Sequence, residues 1–212
     1  MRSIFCEYLG ELIQNKEFDD WWESLPIEIP FFSGKEIKVI FSGYKPEKDK
    51  SFLSEAERVL NNFLKKGEVD RYKLTSDVYK DFQEFIDDVG LEYLGEEIQK
   101  IKTKEEIWNF VYPTCIYIIR RNRRDRDLYL EITCECDWEP EHGLLLVFRQ
   151  GKSLTRVSHQ DGHLTDADAF DKADSEDLLL SRYEPDIAYE RIEKIILENE
   201  RPKKVWWKKF WS

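Results

Sequence analysis

The chain has 212 residues, with 33 Lys and Arg against 44 Asp and Glu, a net charge of −11, 41% hydrophobic residues and seven Trp. That aromatic content excludes a disordered acidic tail, and the acidic balance excludes a general nucleic-acid binder, which needs a basic face to neutralise phosphates. No apolar run approaches the ~20 residues of a membrane span, residues 1–20 lack a signal-peptide pattern, and Cys6, Cys115, Cys134 and Cys136 are too few and irregular for a disulfide scaffold, so a cytoplasmic protein is expected.

Taken in chain order, the first signal lies in LPIEIPFFSGKEIKVIFSGY (25–44). Ile37, Val39 and Phe41 alternate with polar residues, the period of a half-buried strand, and FFSGK before them predicts a hairpin turn. Pro26 and Pro30 make its first arm short or an edge. Ser54 and Glu57 fit a capping box at the start of a helix whose stripe is Leu53, Ala56, Leu60, Phe63 and Leu64, stopped by Gly67. A second helix is predicted from Ser76 to Val89, with Val78, Tyr79, Phe82, Phe85, Ile86 and Val89 along one side and Gly90 after it. Thr103 and Glu106 suggest a third cap ahead of Ile107, Trp108, Phe110 and Val111, with Pro113 limiting that piece to about two turns.

From 114 the pattern becomes β. TCIYIIRR reads as one strand, and LYLEITCEC (128–136) alternates throughout, with Leu128, Leu130, Ile132, Cys134 and Cys136 on one face and Tyr129, Glu131, Thr133 and Glu135 on the other. LLLVFR (144–149) and SLTRVS (153–158) flank the short turn QGK, so an antiparallel meander follows. Residues 161–186 are acidic and weakly periodic, and 184–199 fits a last helix. The expected fold class is α+β: a helical middle, a mainly antiparallel meander sheet and a C-terminal helix. One unit over 1–212 is expected, divisible into 1–110 and 111–200, followed by a Trp/Lys-rich tail at 201–212.

All three histidines, His142, His159 and His163, fall within 22 residues, among Cys136, Glu141 and Asp161. If the strands form a meander, the turn DWEPEHG and the segment HQDGH arrive at the same end of the sheet. Two chemistries could use that meeting. His142 or His163 could act as a general base oriented by Glu141 or Asp161, or His142, His163, Asp161 and Cys136 could bind zinc or another divalent metal. The C-x-C pair on an alternating strand reads more simply as two small buried groups. No G-x-S-x-G, H-E-x-x-H, Walker or G-x-G-x-x-G motif occurs, and none implies a cofactor.

Two basic stretches interrupt the acidity. Arg120, Arg121, Arg123, Arg124 and Arg126 lie between two strands, broken by Asp125, and read as a solvated loop paired with carboxylates. The end, PKKVWWKKFWS, holds Trp206, Trp207 and Trp211 among lysines, aromatic area suited to packing on the domain or anchoring a partner. Trp138 is a further binding candidate.

The elements C-E-C-D-W-E-P-E-H-G (134–143) and D-G-H-L-T (161–165) resemble those of an uncharacterised bacterial domain family with C-x-C-x-W-x-x-E-H-G and D-G-H-L-T signatures. That resemblance places Cys136, Trp138, Glu141, His142, Gly143, Asp161, Gly162 and His163 on signature positions and leaves His159 incidental. It implies no activity. By analogy of size and composition, the chain is similar to immunity proteins of bacterial toxin systems. The expectation is a non-enzymatic protein-binding domain that meets a basic partner, with a metal-dependent or acid–base enzyme as the alternative.

Overall fold

The computed structural model describes residues 2–182. The predicted helix at 184–199 and the tail residues Trp206, Trp207 and Trp211 lie outside the described residues. Among the described residues, nine strands join one sheet. It begins with β1 (Ser3–Cys6), β2 (Gly10–Gln14) and β3 (Trp22–Glu23), then β4 (Ile27–Ile29) and β5 (Lys35–Ser42). The first three strands have no counterpart in the sequence reading.

β3 and β4 lie along the same edge of β5, pairing Trp22 with Phe41 and Ile27 with Ile37. Ser24 bridges the gap between them: its N–H donates to Val39 O at 2.9 Å, and its hydroxyl accepts the Val39 N–H at 3.0 Å. The β4–β5 connection is the hairpin expected at FFSGK, with a three-residue first arm that ends at Pro30.

Three helices follow: α1 (Phe52–Leu64), α2 (Glu68–Tyr72) and α3 (Thr75–Val89). α1 starts two residues before the predicted cap. Asp49 Oδ1 accepts the Phe52 N–H, Ser54 Oγ donates to Ser51 O, and Glu57 receives the Glu7 N–H instead of closing a capping box. The third predicted helix is a 3-10 helix at Lys104–Phe110, and its Glu106 carboxylate accepts the Lys102 N–H, while Thr103 caps nothing with its side chain.

β6 (Val111–Arg120) then runs parallel to β5, and β7 (Leu128–Cys136), β8 (Leu144–Arg149) and β9 (Ser153–Ser158) complete an antiparallel meander. Pro113 sits inside β6, where the register shifts, so the missing N–H falls at an irregularity.

The sheet has two unlike faces. Ile116, Ile118, Leu130, Ile132, Leu146 and Phe148 pack under α1 and α3 with Phe63 and Phe82 in the main core. Opposite, Ile119, Tyr129, Leu145 and Val147 form a smaller cluster closed by Leu164. The strap 161–182, which includes α4 (Asp166–Ala169), reaches across this second face.

Strand alternation sends consecutive arginines to opposite faces. Arg120 binds Asp49 at 2.5 Å and Glu55 at 2.9 Å on the helical side. Arg121, 3% exposed, binds Asp125, Asp168 and Asp174 at 2.8–2.9 Å and so ties the strap down. The pairing with carboxylates expected from sequence is present, but Arg121 is buried and not part of a solvated loop, and with Arg120 it fastens the structure.

Candidate functional site: the groove beside the 137–143 turn

The β7–β8 ladder closes at Cys134 and Leu144, leaving 137–143 as its turn. Gly143 makes that turn feasible. Its φ is +60°, its N–H donates to Glu139 O at 2.8 Å, and a Cβ there would lie 2.3 Å from Cys134 O. The Glu139 carboxylate accepts the His142 N–H at 3.3 Å and lies 3.4 Å from the His142 ring.

Burial pushes the Cys136 thiol up to about 12 and raises the fully buried Cys134 as well. Both are packed thiols, as the alternation implied, and poor thiolate ligands. Trp138 is buried, not an exposed anchor. Its indole N–H donates to Asp81 of α3 at 3.2 Å, and its ring meets Phe82 edge-on.

The β8–β9 register pairs Leu145 with Ser158, so residue 160 comes opposite 143. Gln160 N–H accordingly donates to His142 O at 3.2 Å, and its side-chain amide donates to Cys134 O at 3.0 Å. The two loops do meet. The ring that meets His142 is His159, at 5.9 Å between centroids.

Past 160 the chain crosses the sheet end. The Asp161 carboxylate pairs with Arg156, whose β9 position faces the strap side, and accepts the His163 N–H at 3.0 Å. Asp161 is thus paired with Arg156, and among the described residues no side-chain to side-chain hydrogen bond joins His142, Glu141, Asp161 and His163 to one another. Nor does the structure gather His142, His163, Asp161 and Cys136 into a ligand set: among the described residues, no three His, Cys, Asp or Glu side chains are placed to hold a metal ion.

Asp81 is the residue that sequence reasoning missed. Burial raises its carboxyl to about 6; the Trp138 N–H and nearby His159 pull it back down, while Glu84 and Glu139 add to the rise. A signal existed in the pattern. Asp81 lies three residues after Val78 and four before Phe85, within the apolar stripe of α3.

The same turn borders two neighbouring clefts, together termed the groove. One part, about 570 Å³, runs between Phe85, Val89, Tyr93 and Leu94 and the turn residues Trp138 to His142. The adjoining part, about 560 Å³, shares Gly95, Asp137 and Pro140 and continues to Ile98, Tyr112 and Glu135. Together their walls carry six carboxylates, from Glu96, Glu97, Glu135, Asp137, Glu139 and Glu141, of which Glu97 is paired with Lys100 at 2.7 Å. Tyr93 remains 76% exposed and Val89 43% among the described residues. A separate cavity of about 270 Å³ beside α1 mixes Glu55 with Arg58, Lys65 and Lys152 and presents no such single-sign field.

The fold and groove define an α+β domain with a mostly antiparallel sheet and an acidic, aromatic-walled cleft. The chain belongs to the family described as Domain of unknown function (DUF6985), which matches residues 9–164 and so takes in the groove, both histidine loops and the strands from β2 to β9. No curated protein and no solved structure matches the chain. Among the described residues, no helix is long and apolar enough to cross a membrane.

Proposed function

We propose that this domain is a non-enzymatic binding module whose groove at 85–98 and 135–142 takes a basic, aromatic segment of a protein partner. The observation that carries this reading is the closeness of five carboxylates without a Lys or Arg partner among the described residues, from Glu96, Glu135, Asp137, Glu139 and Glu141, to an apolar wall of Phe85, Val89, Tyr93 and Leu94, Lys100 being held by Glu97 alone. Carboxylates of one sign in a cleft focus the field toward cations and speed their encounter. The apolar wall gives aromatic anchors an area to bury, and such anchors dominate binding energy. Tyr93 and Tyr112 offer ring faces to a lysine or arginine. This is the chemistry an immunity-like domain would use against a basic protein.

The test is fluorescence anisotropy with a labelled Lys/Trp peptide and its Glu/Trp counterpart. Glu96, Glu135 and Glu141 hold no side-chain hydrogen bond among the described residues, so a Glu96→Gln/Glu135→Gln/Glu141→Gln chain should fold normally. Binding of the cationic peptide alone is expected, weakened about tenfold by the triple change and strongly by salt, since surface attraction is screened within ~8–10 Å. Equal binding of both peptides, or equal affinity in the variant, overturns the reading.

A further inference from the structure

We propose that the imidazoles of His142 and His159 gate the groove by pH, proton uptake at this pair releasing a cationic occupant. This rests on the preceding reading and adds its regulation. His142 lines the cleft beside α3, directly after Glu141, and is the one imidazole among the described residues of either cleft's lining. Its ring lies 5.9 Å from that of His159, which the β8–β9 register brings to the same rim. Both side chains are exposed and exchange protons freely with solvent. Imidazole is the side chain whose ordinary titration falls between pH 5 and 8, whereas carboxylates titrate near 4 and lysine near 10. A change of pH near neutrality therefore acts on the groove at this corner.

The groups around the pair set the sign of the response. On its own turn, Glu139 lies 3.4 Å from the His142 ring, and Asp137 and Glu141 line the same cleft. After β9 comes Gln160, which is neutral and bonds Cys134 O at 3.0 Å, and then Asp161, which is paired with Arg156. On α3, Asp81 holds the Trp138 N–H and feels the charges of His159, Glu139 and Glu84, while Glu84 is paired with Lys80 at 3.1 Å. Above neutrality five groove carboxylates have no Lys or Arg partner among the described residues, and Lys100 is held by Glu97. Protonation of His142 gives Glu139 a cation and leaves four. Protonation of His159 sets a second positive charge beside the first and offsets part of the Asp81 field behind the turn. Burial raises the Asp81 carboxyl to about 6, so its own charge is lost in the lower part of the same range; the His159 charge delays that loss without reversing it. All three changes weaken the pull on a cation. At a solvated surface one unit of charge is worth about threefold in affinity, so the imidazole pair supplies about tenfold.

The experiment is fluorescence anisotropy of the full chain with the labelled Lys/Trp peptide, stepped from pH 5.5 to 8 at constant ionic strength. The peptide is acetylated at its amino terminus, so its own charge stays fixed across the range. The native chain should bind about tenfold more weakly at pH 5.5 than at pH 8. A His142→Gln/His159→Gln chain, altered only at exposed positions, should match the native chain at pH 8 and lose no more than about twofold by pH 5.5, the share left to Asp81. A His163→Gln chain should follow the native curve, because the third imidazole is no part of the pair. Native affinity that stays constant over the range, a full decline in the double variant, or a decline abolished by His163→Gln overturns the gate and leaves the partner groove standing. Absence of peptide binding at every pH overturns both.

Discussion

Glu131 offers the sharpest test of how the two sheet faces are built. It lies on β7 between Tyr117 of β6 and Val147 of β8, on the strap side, and its carboxylate has no hydrogen-bond partner among the described residues. Burial, with a smaller push from the Asp161 charge, raises its carboxyl from 4.5 to about 7. An acid that titrates higher in the folded chain is held more tightly as the neutral form. Stability is therefore lost as pH rises from 4.5 through 7, and the loss is complete above 7. A gap of that width corresponds to about 3 kcal/mol. Glu131→Gln keeps the shape and removes the charge. The variant should match the native chain near pH 4 and exceed it by about 3 kcal/mol at pH 8, or ~6–12 °C in Tm for a chain of this size. Urea denaturation followed by circular dichroism at four pH values between 4 and 8.5 reads the difference directly. A constant offset at all four values, or a variant less stable than native at pH 8, would refute the placement of Glu131 beneath the strap.

Three further outcomes follow from the same geometry. Arg121→Met leaves Asp125, Asp168 and Asp174 facing one another without their shared cation, and should cost about 3–5 kcal/mol while making 161–182 the first site of limited proteolysis. Gly151→Ala should destabilise by about 2–4 kcal/mol in denaturant melts, because φ there is +67° and a Cβ would lie 2.2 Å from Val59 O of α1. Asp81→Asn should raise stability above pH 6 and leave it unchanged below pH 4, since burial holds that carboxyl at about 6; a pH-independent change in melting temperature would count against that placement.

Elements whose physics is local were legible in the sequence. Strict alternation in 128–136 gave β7 its limits and both faces, and QGK between two apolar runs gave the β8–β9 hairpin. The same local rules misplaced both capping boxes, because Glu57 and Glu106 each had another backbone N–H within reach. The short β1–β3 strands carry too little pattern to announce themselves; β3 is two residues long, and Phe5 and Ile13 point outward. The parallel β5–β6 pairing is equally silent, since a period of two reads the same in either direction. At the candidate site, up-and-down strand order correctly brought 136–142 and 159–165 together. That His159 and not His163 lies beside His142 follows from the β8–β9 register, which sets 160 opposite 143, and nothing in the spacing H-Q-D-G-H reveals that register.

The fate of the basic residues then bears on what the surface can recognise. In the sequence the arginine segment reads as a loop paired with carboxylates, and the tail as aromatic area for packing or for a partner. Arg120, Arg121 and Arg124 point into Asp49, Glu55, Asp168 and Asp174, and a guanidinium already shared among two or three carboxylates has little left for a phosphate. Arg149 and Arg156 are held the same way by Asp127 and Asp166. These cations are committed to fastening helix and strap to the sheet, whereas the sequence of 201–211 carries one Arg and four Lys without an acid. The groove at 85–98 and 135–142 keeps five carboxylates without a Lys or Arg partner among the described residues, from Glu96, Glu135, Asp137, Glu139 and Glu141. A chain that directs these arginines inward and keeps carboxylates along an apolar cleft leaves negative charge beside exposed apolar surface, the arrangement on which the proposed binding of a basic segment rests.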